Sequence, residues 1–366
     1  PATAIVLGGL FVGLYTVIGG IDAVIWTDVL QTVILLLGGI ICLWVILDAL
    51  PGGLNQVFEQ AGNAGKFALA PWENGAPGDT SWSFSLSEKT ATMMLLIGLT
   101  NWLTEYSSNQ NTVQRYCASQ STLEARRGLW VYLFTALPIW AFYMLLGTAL
   151  WVFFQAYPDP HASAILAGDA RAETLMPHFI TGYLPAGVAG LVIAAALAAA
   201  MSSLDSSINS ITTVSVVDLY RRHLRPGRDD RHYLKVAWTI AIAVTGLMIL
   251  GALWLNQADT KTLQDTSTIL VSLLGGGMLG LYLLGFFSKR GNARAAWCGI
   301  GCTLVFTGWT ILTNNQLLPE ALSAPFDLYY TGLIGNVLMF LVGYLVALFW
   351  PAASVAPSAS LPASEG

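Results

Sequence analysis

Stretches of about 20 consecutive apolar residues recur along the whole chain, each long enough to cross a hydrocarbon core about 30 Å thick as a helix. Lipid leaves backbone groups no water to bond, so only helices and closed barrels cross it, and the residue-by-residue alternation of a membrane strand is absent. The fold class that follows is an all-α, polytopic membrane protein. Nine spans are predicted at 3–19, 23–48, 90–113, 128–155, 184–217, 235–255, 264–287, 293–313 and 328–350. Composition agrees: 55% of residues are hydrophobic, 10% are charged, and mean hydropathy is +0.62, far outside the soluble range. The chain opens on the apolar run ATAIVLGGLFVGL with neither a methionine nor a signal-peptide pattern, which predicts an N-terminal truncation. Residues 1–350 are expected to form the transmembrane core. PAASVAPSASLPASEG (351–366) has the Pro/Ala/Ser bias of a disordered end.

Loop charge orients the spans. With the N-terminus outside and the C-terminus in the cytoplasm, 12 of the 16 basic residues lie on the cytoplasmic side, leaving Lys66, Lys89, Arg171 and Lys261 outside, as the positive-inside bias requires. RRHLRPGRDDRHYLK (221–235) is then an orientation signal rather than a nucleic-acid patch. Segments 51–89 and 156–183 have the length of lids or gates. Cys42, Cys117, Cys298 and Cys302 show no disulfide spacing and read as small apolar residues. His161, His178, His223 and His232 are predicted in loops, and no metalloprotease-type pair or nucleophile–base–acid set is present, which argues against an enzyme.

An ionisable side chain within a span costs several kcal/mol unless it faces a cavity, a partner or an ion. Asp28, Glu105 and Asp205 are in that position. In AAALAAAMSSLDSSINS (194–210), a 100° step per residue puts Ala199, Ser202, Ser203, Ser206, Asn209, Ser210 and Thr213 on one stripe with Asp205 at its edge. Hydroxyls and carbonyls at one level are hard oxygen ligands, which suit a hard cation such as sodium. A small-residue packing face explains the alanines and serines but not the aspartate. Asp28 follows the Gly19-Gly20 turn in GGIDAVIWTDVLQ (19–31). If it meets Asp205, two carboxylates in a dry site must hold a cation or share a proton.

The third span turns polar at TNWLTEYSSNQNTVQR (100–115). So polar a half-helix either lines water or substrate or leaves the membrane near Asn101. The candidate substrate-lining residues are Asn101, Glu105, Ser108, Asn109 and Thr268. Gly275-Gly276-Gly277 lies in the middle of the seventh span, where helix breaks expose carbonyls in transporters.

Four motifs carry a resemblance: GLYTVIGGIDAVIWTDVLQ (13–31), NQNTVQRYCASQSTLEARRG (109–128), LPAGVAGLVIAAALAAAMSSLDSSINSITTVSVVDLYRR (184–222) and LGLYLLGFFSKRGNARAAWCGI (279–300). The chain resembles the sodium/solute symporter family, relatives of the sodium-glucose, sodium-proline, monocarboxylate and sialic acid cotransporters, over essentially its whole length. The resemblance implies part of a LeuT-type core of two inverted five-helix repeats: the last two helices of the first repeat, all of the second, and two peripheral helices. The family's four preceding helices, with the first core helix among them, would lie upstream.

Carried over, the principal sodium site would use the Ala199 carbonyl and the Ser202 and Ser203 hydroxyls. A second site found in some members aligns with Asp28, Ser202, Asp205 and Ser206. Asp205 departs from the serine or threonine of the sugar carriers, which leaves sodium, a proton or an internal salt bridge open there. Sugar carriers also bear a lysine in the helix after the NQ..VQR motif, and residues 132–137 contain no cation. NQNTVQRY is closer to the monocarboxylate, vitamin and iodide branch. The resemblance implies sodium-coupled symport of a small organic solute, sugar or monocarboxylate-like, by alternating access. Sodium, solute and lipid would be the partners, with no nucleic acid, in a bacterial inner membrane. A non-transporting sensor of the same fold and a proton-coupled carrier are the alternatives.

Overall fold

The computed structural model describes residues 2–67, 72–73, 76–77, 80–88, 90–167, 169–256, 270–271 and 275–350; Thr268 and the tail 351–366 lie outside the described residues. Apart from two short strands, Trp72–Glu73 and Ala76–Pro77, the regular structure is helical. In chain order the α-helices are α1 (Ala2–Ala49), α2 (Gly53–Asn63), α3 (Ala91–Ser108), α4 (Gln110–Cys117), α5 (Thr122–Ala156), α6 (Pro160–Ala167), α7 (Leu175–Tyr183), α8 (Ala186–Thr213), α9 (Asp230–Asn256), α10 (Met278–Phe287), α11 (Ala293–Asn314) and α12 (Thr331–Phe349). A π-helical extension, Val214–Leu224, continues α8.

Six helical segments among the described residues are long and apolar enough to cross a membrane: Ala2–Ala49, Thr122–Ala156, Ala186–Leu224, Asp230–Asn256, Ala293–Asn314 and Leu328–Phe349. The first is two spans in one. Gly20, at φ 58° and ψ −153°, breaks α1 into halves that correspond to the predicted spans 3–19 and 23–48. Glycine takes positive φ readily, whereas a side chain makes that region costly. The third and seventh predicted spans also contain helices, α3 and α10, which are shorter. α3 turns polar beyond Leu99, and α10 begins only after the glycine turn at 275–277.

The chain divides into two compact units, the first of residues 1–67, 74–76 and 113–263, the second of residues 68–73, 77–112 and 264–366. In the first, α1 packs against α8, α9 and α5. Val12, Ile208, Ala241 and Val244 form one cluster with the first half of α1, while Cys42, Ile46, Leu146, Phe153, Phe154 and Phe179 form another around its second half. The long segments read as lids contain α2, α6 and α7, because Val57, Ala61, Ala162, Ile165 and Phe179 are buried there. Asp159 accepts the Ala162 N–H at 2.8 Å, the Tyr183 hydroxyl at 2.9 Å and a bond from His178 Nε2 at 2.9 Å. The backbone bond from Ala162, followed by the His178 contact, holds its carboxyl well below the usual carboxylate range.

In the second unit α12 packs against α11, α10 and α3. Met93, Ile97 and Tyr330 form its cluster, and the Tyr330 hydroxyl donates to the Ser85 carbonyl at 2.8 Å. Buried Asn336 ties the glycine turn to α12: its Oδ1 accepts the N–H groups of Gly277 at 3.1 Å and Gly280 at 3.0 Å. Replacing Asn336 with alanine strands two buried N–H donors and is expected to destabilise the protein by about 1–3 kcal/mol for each. Thermal unfolding of the purified protein measures this, and an unchanged midpoint would contradict the assignment.

Candidate functional site

The polar groups of the first unit converge where α8 passes the two halves of α1. Asp205 has no exposed surface, and its Oδ2 accepts the Tyr15 hydroxyl at 2.5 Å and the Thr27 hydroxyl at 3.4 Å. The helix wheel put Asp205 at the edge of the α8 stripe; packing puts it on the buried face, because both halves of α1 direct hydroxyls to it. One residue from Thr27, Asp28 pairs with Arg115 of α4, Nη2 to Oδ2 at 2.5 Å. The same guanidinium donates to the Ser206 hydroxyl at 2.9 Å.

Asp28, Asp205 and Ser206 therefore belong to one cluster. The cation present in it is supplied by the protein. Three acceptor oxygens there are buried with no hydrogen-bond partner: Asp28 Oδ1, Asp205 Oδ1 and Gln31 Oε1. Acceptors without donors fit a positive charge or a proton, so the donor set is suited to a monovalent cation.

About one turn toward the N-terminus of α8, Ser202 donates its hydroxyl to the Ala199 carbonyl at 3.1 Å, so these two candidate ligands are adjacent. Both are half-buried and Ser203 is exposed. The Ser203 carbonyl accepts the Ser207 hydroxyl at 2.8 Å. Among the described residues no group of three or more His, Cys, Asp or Glu side chains is placed to hold a metal ion. The Ala199/Ser202/Ser203 set is one of neutral oxygens.

The described candidate substrate-lining residues, Asn101, Glu105, Ser108 and Asn109, fall in the second unit. Asn109, at φ −74° and ψ 124°, separates α3 from α4. Its Nδ2 donates to Glu105 Oε2 at 2.6 Å, while the Thr112 hydroxyl donates to Oε1 at 2.7 Å. Glu105 therefore brackets the break. Ser108 is buried and bonds back to the Thr104 carbonyl at 2.8 Å, and Asn101 is half-buried.

The model described as "Sodium:solute symporter family" matches residues 2–302. The chain belongs to the sodium:solute symporter family. The sodium/sialic acid symporter SiaT of Proteus mirabilis is 32% identical over 355 residues, covering 96% of this chain and 66% of that protein. The sodium/sialic acid symporter NanT of Aliivibrio fischeri is 28% identical, over 95% of this chain and 64% of that protein. This member of the family thus spans about two thirds of their length. A solved substrate-bound, outward-open Na+-coupled sialic acid symporter, described with a novel Na+ site, superposes with a TM-score of 0.80 at 30% identity, covering 97% of this chain and 68% of the other. The all-helical, LeuT-type membrane fold expected from the resemblance is the fold observed.

Residues central to the cluster went unnoticed in the sequence. Tyr15 and Thr27 lie inside the first quoted motif and Arg115 inside the second. From sequence alone Arg115 is one of the cytoplasmic basic residues and nothing more. The histidines expected in loops lie in α6, α7, the π-helical extension and α9.

Proposed function

We propose that this chain is the larger part of a sodium-coupled symporter that moves a small organic solute across a bacterial inner membrane by alternating access. The observation that carries the proposal is the oxygen set of α8, in a chain whose relatives are sodium cotransporters. Sodium is a substrate here, held by the Ala199 carbonyl and the Ser202 and Ser203 hydroxyls. Arg115 neutralises Asp28, leaving the charge of Asp205 to a further cation or proton.

Coupling requires sodium to bind one state more tightly than the other. A charge moved through about 100 mV is worth about 2.3 kcal/mol, and a tenfold gradient about 1.4 kcal/mol. One ion can therefore sustain a several-hundredfold solute gradient. Sialic acid is the first solute to test, since two relatives carry that name and it is both a sugar and a carboxylate. Asn101, Ser108, Asn109 and Thr268 are proposed to line its path, with Glu105 shaping the break. The N-terminus is proposed to face outside and the C-terminus the cytoplasm.

Uptake of radiolabelled sialic acid and a panel of sugars and monocarboxylates into proteoliposomes, in sodium against choline buffer, tests the reading. Accumulation of one solute in sodium alone is expected. Equal uptake in both buffers would contradict it.

A further inference from the structure

The segment joining α5 to α8 lies outside the spanning helices and carries two of the four histidines. α6 places His161 and α7 places His178 so that their ring centroids are 4.6 Å apart, with planes at 60°. Two imidazoles binding one ion at 90–110°, through nitrogens about 2.0–2.1 Å from it, have centroids roughly 4.5–5.2 Å apart. The observed edge-to-face separation falls within that range.

The second observation concerns the tautomer. His178 Nε2 lies 2.9 Å from Asp159 Oδ2, and the carboxylate accepts the Nε2 proton. In the neutral ring that bond puts the proton on Nε2 and the lone pair on Nδ1. A carboxylate orienting a histidine from behind is the arrangement that raises ligand basicity in metal sites. Phe154 stacks on the His178 ring at 5.9 Å, and Tyr183 also donates to Asp159, so the ring is held from several sides. His161 is exposed, which leaves room for water to complete a four-coordinate shell.

We propose that His161 and His178 form a two-histidine site for a transition-metal dication of the zinc class, oriented by Asp159 and separate from the sodium oxygens. Imidazole is a suitable ligand for zinc, copper and nickel, whereas sodium prefers harder oxygens. A metal there would clip α6 to α7.

The test is the thermal midpoint of the purified transporter titrated with zinc chloride, with sodium present throughout. A saturable upward shift is expected in the wild type. His161→Ala, at an exposed position, should fold normally and abolish the shift. Asp159→Asn should weaken zinc binding by about 10- to 100-fold, since it removes the orienting partner. Cys298→Ser with Cys302→Ser should leave the shift intact. The proposal is overturned if zinc does not shift the wild type, if His161→Ala keeps the full shift, or if the serine replacements abolish it. None of these readings depends on uptake, so the sodium reading stands or falls separately.

Discussion

Replacing Ser203 with alanine is expected to raise the sodium concentration for half-maximal uptake by about 10- to 100-fold while leaving the protein folded. A neutral group bonded to a charge contributes about 1.5–3 kcal/mol, and about 1.4 kcal/mol corresponds to tenfold in affinity. The side chain is exposed on α8 and outside the buried clusters, so its removal leaves no cavity. Threonine keeps the hydroxyl and should recover most of the sodium affinity. Sodium titration of uptake by the two variants measures this. An alanine variant with the wild-type half-saturation would remove Ser203 from the site.

Tyr15→Phe is expected to destabilise the protein by roughly 2–5 kcal/mol, because a buried carboxylate then loses its short donor. Phenylalanine fills the same volume, so the effect isolates the hydroxyl. Asp205 is fully buried; besides Tyr15 it is bonded by Ser206 and, at a long 3.4 Å, by Thr27, and the Tyr15 hydroxyl at 2.5 Å is its short side-chain donor. The cost should shrink on an Asp205→Asn background, where no charge is stranded, and thermal unfolding of the four-membered cycle reads the coupling. If the single and double backgrounds lose equal stability, Tyr15 does not act through Asp205.

The fold was legible where physics is local. Apolar length located the six segments long enough to cross among the described residues, and Gly19-Gly20 marked the turn where Gly20 takes positive φ. The triple glycine marked the point before which α10 cannot start. α3 ends at Ser108, short of the predicted span end at 113, within the polar stretch TNWLTEYSSNQNTVQR whose two readings, lining water or leaving the membrane, sequence alone leaves open. The cluster was only half legible. Serines and an aspartate share one helix, so spacing brought Ser202, Asp205 and Ser206 together. Tyr15 meets Asp205 across 190 residues and Arg115 meets Asp28 across 87, and no periodicity reports on such pairs. An arginine near a span end is ordinarily an orientation signal, and only tertiary packing reveals it as a counter-ion. The helices α2, α6 and α7 are not legible in the sequence because each is short, and what holds each is burial of a few apolar residues against its neighbours.

The account rests on the α8 oxygens holding sodium, and direct binding of radioactive sodium to the purified transporter tests that without any solute. Saturable binding is expected in the wild type and its loss at the same sodium concentration in the Ser202→Ala/Ser203→Ala double variant, with matching thermal midpoints showing both are folded. Equal binding by the two proteins would contradict the account.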